Sequence, residues 1–182
     1  MALKATIFKA ELQIADTDRN YYQDHLLTLA RHPSETDERM MVRLLAFARH
    51  ADEYLAFAKG LSDTDEPDIW LKDMTGAIKL WIEVGQPDEK WLLKACGRAD
   101  QVVLYTYSGN SANLWWNQIA PKLERLKNLT VINLPLATTQ ALAKLARRTM
   151  QLQCTIQDGV IWLGSGDETV QVGWTTLKSP PQ

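Results

Sequence analysis

The sequence predicts an α/β protein built on a mixed β-sheet, and three observations carry that expectation. Phe8, Ala10, Leu12 and Ile14 alternate with Lys9, Glu11 and Gln13, the period-two signature of a half-buried strand. Val102, Val103, Leu104 and Tyr105 form a continuously apolar run, as in a strand buried on both faces of a sheet. Between such stretches lie segments with apolar residues at helical spacing, opened by capping residues.

The elements follow in order. Asp16-Thr17-Asp18-Arg19-Asn20 is turn chemistry, so Tyr22 to His32 is expected to return as the second strand of a hairpin. Pro33 stops it, and Ser34 with Asp37 reads as a capping box for a helix whose apolar stripe is Met41, Leu44, Leu45, Ala48 and Ala51. The segment 53–65 is ambiguous between a short strand at Tyr54–Ala58 and a polar loop. Two strands near 68–72 and 77–84 flank the turn Asp73-Met74-Thr75-Gly76. Pro87-Asp88-Glu89 then opens a helix to about Ala99. A strand at Gln101–Tyr107, a helix near 112–127, a strand near 129–134 and a helix near 138–148 complete the middle. The Asp158-Gly159 turn joins two strands into a closing hairpin, one further strand is expected at 169–176, and 179–182 reads as a frayed tail. Residues 1–178 are expected to form one domain, with no internal repeat and no linker.

Composition limits the function classes. The chain has 182 residues, 46% of them hydrophobic and 23% charged, which suits a folded domain and not a disordered one. A net charge of −2 provides no global basic field, so any nucleic-acid binding rests on a local patch. The first residues lack the apolar core of a signal peptide, and no run reaches membrane-spanning length. Cys96 and Cys154 lack metal-ligand spacing and read as buried thiols of a reducing compartment, so a soluble cytoplasmic protein is expected.

The acids at Pro67-Asp68 and at Trp81-Ile82-Glu83-Val84-Gly85 stand out. With the turn at 73–76, Lys72 is expected to oppose Ala77, which places Asp68 and Glu83 on one face and nearly across from each other. Two acids on an edge hairpin also fit a plain solvated surface. Glu66 has the same parity as Asp68 and is its runner-up. Glu38 shares the apolar side of the first helix, where an acid either points to the end of the sheet or pairs with Arg39 or Arg43. Lys90 and Lys94 lie on one face of the helix after Glu83, and Lys94, between Leu93 and Ala95, is the one expected to turn inward. His25, His32 and His50 share no metal spacing. Ser108-Gly109-Asn110-Ser111 joins a strand to a helix, where phosphates can bind, but lacks a second glycine and reads as an ordinary turn. The basic clusters Lys122/Arg125/Lys127 and Lys144/Arg147/Arg148 fit solvated faces as well as phosphate contacts, and the tryptophans read mainly as core.

Three blocks are distinctive: Leu29-Ala30-Arg31-His32-Pro33-Ser34-Glu35-Thr36-Asp37-Glu38-Arg39-Met40-Met41, Asp65-Glu66-Pro67-Asp68-Ile69-Trp70-Leu71, and Thr155-Ile156-Gln157-Asp158-Gly159-Val160-Ile161-Trp162-Leu163. With the opening Ala2-Leu3-Lys4-Ala5-Thr6-Ile7, they resemble the bacterial YaeQ family across essentially the whole chain. The resemblance implies a fold similar to the PD-(D/E)xK nuclease-like superfamily, an α-β-β-β-α-β core with antiparallel hairpins added at both ends. The superfamily pattern then falls on Asp68 as the first acid, Glu83 as the second and Glu38 as the helix acid. It departs at Gly85, where the superfamily has lysine, so Lys94 or Lys90 would have to supply the cation.

The activity so implied is Mg²⁺-dependent phosphodiester hydrolysis on DNA or RNA. Asp68, Glu83 and the carbonyl of Val84 would hold the ion, Glu38 would position a water, and Lys94 would stabilise developing charge. The alternative is a non-catalytic nuclease-like module that binds nucleic acid or a protein partner. Because clustered carboxylates repel, truncating Asp68 or Glu83 is expected to leave the fold intact or more stable.

Overall fold

The computed structural model describes residues 4–182; the first three residues, including Ala2 and Leu3 of the opening block, lie outside the described residues. The α/β class stands, with two mixed sheets and four α-helices among the described residues. The described residues form two compact units, one from residues 4–50 and 137–173, the other from 51–136 and 174–182.

The first unit begins with β1 (Thr6–Asp16) and β2 (Tyr21–Arg31), paired antiparallel without a break from Thr6↔Arg31 to Asp16↔Tyr21. Its other strands are β8 (Thr149–Gln157), β9 (Val160–Ser165) and β10 (Glu168–Val172). The hairpins expected at the two ends of the chain join each other. β1 pairs parallel with β8 from Lys9↔Thr149 to Asp16↔Ile156, giving the sheet order β10-β9-β8-β1-β2. Alternation explains the fit, since Ala10, Leu12 and Ile14 register with Met150, Leu152 and Cys154, and all six are buried. One carboxylate pins the two turns together: Asp18 accepts the backbone N–H groups of Asp158 (2.7 Å) and Gly159 (2.9 Å). Those two residues have φ of 51° and 75°, the paired left-handed conformation of a two-residue hairpin turn.

Helix α1 (Asp37–Arg49) starts two residues later than the capping box at Ser34 suggests. Thr36 is the N-cap, and its hydroxyl accepts from Arg39 N at 3.1 Å, while the Ser34 hydroxyl is taken up by His32 Nδ1 at 2.7 Å. Every residue from Met40 to Ala48 is buried, Arg43 included. Arg43 is tolerated because Glu35 receives its guanidinium through two bonds (2.8 and 2.7 Å), and Arg39 adds a third at 2.6 Å. Helix α4 (Leu136–Ala143) is shorter than the expected 138–148.

The second unit holds the sheet β11-β7-β6-β5-β4-β3. It comprises β3 (Leu55–Phe57), β4 (Ile69–Lys72), β5 (Ile78–Val84), β6 (Ala99–Thr106), β7 (Leu129–Asn133) and β11 (Thr175–Lys178). β5, β6 and β7 run parallel, and the remaining neighbours are antiparallel. The single strand expected at 169–176 is in fact two, β10 and β11, separated at Gly173 and placed in different sheets. Helices α2 (Glu89–Arg98) and α3 (Asn110–Leu123) share one core with the sheet, in which Trp81, Leu92, Ala95, Leu104, Ile119 and Val131 are buried. Along the chain, α1-β3-β4-β5-α2-β6 is the α-β-β-β-α-β succession.

Two measurements check this account. Glu35→Ala strands the buried Arg43 guanidinium without its carboxylate and should cost about 3 kcal/mol in denaturant unfolding. His50 is pushed down from its usual 6.5, first by burial and then by the positive charges of Arg49 and Arg19, so it stays neutral in the fold. As pH falls below about 6.5 the unfolded chain takes up a proton that the folded chain refuses, so stability is full above that pH and declines below it. His50→Gln should flatten the fall in melting temperature between about pH 6.5 and pH 5.

Candidate functional site

The acids sit where the β4–β5 ladder ends. Asp73 organises the turn, accepting backbone N–H groups from Thr75 (2.8 Å) and Ala77 (3.0 Å). A bulge between Leu71 and Lys72 changes the expected register. Lys72 faces Ile78 instead of Ala77, and Leu71, Trp70 and Ile69 face Leu80, Trp81 and Ile82. One step further along that register, Asp68 stands opposite Glu83, directly rather than diagonally. Asp68 lies just before β4, not inside it, and both acids are buried, Asp68 at 2% and Glu83 at 8% exposure.

Each carboxylate has a protein donor. Asp68 Oδ2 accepts the backbone N–H of Val84 at 2.9 Å, and Glu83 Oε1 accepts the indole N–H of Trp81 at 2.8 Å. The loop before β4 is shaped around Asp68. Ala58 N donates to the Asp68 carbonyl and Gly60 N to the Pro67 carbonyl, each at 2.9 Å. Gly60 has φ of +50°, and a Cβ there would come within 2.6 Å of Asp68 Oδ1, so only glycine fits. Glu66, the runner-up, faces Lys59 at 3.7 Å, which separates it from the Asp68–Val84 contact.

The cations lie elsewhere. The Lys94 ammonium, expected at Glu83 or Asp68, instead meets the Asp65 carboxylate and the Thr64 carbonyl (3.4 Å), and the residue is exposed. That hydrogen bond, followed by the charge of Lys94, holds the Asp65 carboxyl below its usual range. Lys90 is exposed. Gly85 ends the strand with φ of +125°, its N–H donating to the Tyr105 carbonyl at 2.9 Å. A lysine at that position would be held in a backbone conformation that side chains rarely adopt. Glu38 belongs to the other unit, where its Oε2 accepts from the Thr139 hydroxyl at 2.8 Å. Among the described residues, no group of three or more His, Cys, Asp or Glu side chains gathers where a metal ion could be held.

A second feature escaped the sequence reading, which assigned the tryptophans mainly to core. Trp70 and Trp91 are half-buried and stand edge-on to the buried Trp81, with ring centroids at 6.3 and 5.9 Å. Cations lie over all three: Lys72 Nζ at 3.7 Å from the Trp70 centroid, Arg98 at 5.1 Å from Trp81 and Lys94 at 5.3 Å from Trp91. The available signal was the parity of Trp70 and Lys72 on β4; the bulge then sets Trp70 opposite Trp81. Cys154 is buried as expected and Cys96 only partly so, and burial pushes their thiols up to about 12 and about 11, which disfavours the thiolate.

A mixed α/β protein with this element order and an acid pair closing its central hairpin is the class so defined. The chain belongs to the YaeQ family: the family model described as "YaeQ protein" matches residues 1–174. It is 49% identical over 180 residues to YaeQ of Escherichia coli (strain K12) and likewise 49% to that of Salmonella typhi, with 99% of both chains covered in each case. The crystal structure of YaeQ from Xanthomonas axonopodis pv. citri is similar at a TM-score of 0.92 and 48% identity, covering 97% of this chain and 99% of that one. That from Pseudomonas syringae is similar at 0.92 and 36% identity, covering 96% and 97%.

The bonds of Asp68 and Glu83 reverse the stability expectation drawn from their mutual repulsion. Asp68→Ala leaves the buried Val84 N–H without this acceptor and should destabilise the protein by about 2 kcal/mol, while Asp68→Asn, which retains an acceptor, should cost less than half as much. Urea unfolding of both variants measures the difference.

Proposed function

We propose that this protein is a nuclease-like module that holds a nucleic-acid strand without cutting it. The observation that carries the reading is the pair of half-buried indoles, Trp70 on β4 and Trp91 on α2, with the Lys72 ammonium over the Trp70 ring. Aromatic faces stack on bases of any sequence, at about 1–3 kcal/mol per base, and flanking cations meet the phosphates. With a net charge of −2 the attraction is local, so affinity depends on this face and on salt.

Hydrolysis has less support. The donors at the acid pair are all oxygen, which suits Mg²⁺, but two carboxylates that already accept protein N–H groups fall short of a complete site. The cation that would stabilise a phosphoryl transition state is committed to Asp65. No hydrolytic step is therefore derived.

The test is a fluorescence titration with single-stranded DNA and RNA octamers at several salt concentrations, with and without Mg²⁺. Binding should be independent of Mg²⁺. Trp70→Ala should weaken it about tenfold, and Lys72→Met should reduce the log–log salt slope by about 0.7. No binding at low salt overturns the reading. So does Mg²⁺-dependent strand cleavage that Asp68→Asn abolishes, which would restore the hydrolase with Asp68 and Glu83 at its centre.

A further inference from the structure

A second polar feature lies at the carboxyl ends of the parallel strands of the same unit. Thr106, the last residue of β6, registers with Asn133, the last of β7. Each follows by two residues a member of the core that α2 and α3 share with the sheet, Leu104 and Val131, so both side chains point to the helix-covered face. Thr106 is fully buried, yet neither its Oγ1 nor Asn133 Oδ1 has a hydrogen-bond partner. A buried hydroxyl left unpaired is costly, and such groups mark places where a ligand completes the protein.

Thr106 leads within a few residues into α3. Only Tyr107, Ser108 and Gly109 intervene, and the backbone doubles back through φ of 90° at Ser108 and 58° at Gly109. Gly109 is the N-cap, so no side chain caps this 14-residue helix. Ala112, in its first turn, is 1% exposed. On the other side of Thr106 the register leads to Gly85, where an added Cβ would meet nothing within 4 Å. The Gln86 amide bridges the junction, donating to the Tyr107 carbonyl (3.4 Å) and the Ser111 hydroxyl (3.2 Å).

We propose that this strand-to-helix junction binds a phosphate monoester. The uncapped N–H groups of Asn110, Ser111 and Ala112 and the Thr106 hydroxyl are its donors, and the positive end of the α3 dipole favours the charge. Asn133 donates once its amide is turned to bring the nitrogen inward, since either end of an amide can face the junction. Glu83 lies on the same face but leans away, because its carboxylate is drawn back along β5 to the Trp81 indole. The source of the phosphate rests on the nucleic-acid reading: it is the terminal phosphate of the bound strand.

The experiment compares octamers carrying a 5′-phosphate or a 5′-hydroxyl, and inorganic phosphate alone, on the full chain and on Thr106→Val. The 5′-phosphorylated strand should bind about tenfold more tightly. Inorganic phosphate should shift the backbone amide resonances of residues 110–112. Thr106→Val should remove both effects, leave the 5′-hydroxyl strand unaffected, and keep or raise the melting temperature, because it deletes an unpaired hydroxyl. Thr106→Ser should behave as the native chain. Amide shifts without any strand binding uphold the phosphate site and overturn the nucleic-acid reading. Strand binding through Trp70 with no 5′ preference and no amide shifts overturns the phosphate site and leaves that reading standing. A marked loss of melting temperature in Thr106→Val shows a structural hydroxyl and overturns the site as well.

Discussion

The contact between the Asp68 carboxylate and the Val84 N–H is the constraint on which the central hairpin depends. β5 runs to Val84, whereas β4 begins only at Ile69, so the last N–H on this side of β5 has outrun the ladder. A side chain must finish what the backbone cannot. Asp68 does so from just outside the strand, and the residues around it follow from that choice. Gly60 yields the space its carboxylate occupies, and the bulge at Leu71–Lys72 sets the register that brings Glu83 opposite. Trp81 is then oriented by Glu83 and becomes the ring against which Trp70 and Trp91 stand.

Carboxylates serve the same purpose in the first unit. Asp18 satisfies two turn N–H groups of the distant hairpin, and Glu35 neutralises Arg43 within the buried, otherwise apolar stretch 40–48 of α1. In each case a charge is kept inside because it completes hydrogen bonding that the backbone or a neighbouring cation leaves open. Acids in this chain are thus more often joints than reagents, which bears directly on how Asp68 and Glu83 are read.

Local chemistry made much of the fold legible. Alternation placed β1, the Asp158-Gly159 pair placed its turn, and Asp88 at the start of α2 behaves as its capping position implies. What depends on distant partners was not legible. Nothing in the alternation of β1 distinguishes a parallel neighbour 140 residues away (Lys9↔Thr149) from a solvated edge. The bulge that shifts β4 against β5 leaves no mark in a four-residue turn. Lys94 was expected to turn inward from its apolar flanks, but Asp65, in a loop with no periodicity to locate it, offers a nearer charge. The acid pair itself was visible because a strand places alternate residues on one face whatever the register shift of two.

The absence of a lysine after Glu83 is a property of the backbone as much as of the side chain. In the nuclease-like pattern that residue continues the strand, two places on and on the same face as the acid. Here the strand has already ended: Gly85 lies at φ of +125° and turns the chain toward the N-cap of α2 at Asp88. Replacing Gly85 by lysine would not recover the pattern, since the strand end would have to be rebuilt to carry it. An added Cβ at Gly85 would meet nothing within 4 Å, so the obstacle to a side chain there is the backbone conformation and not space. The strand end itself thereby supplies no lysine, and Lys94, the expected substitute, is held by Asp65 instead.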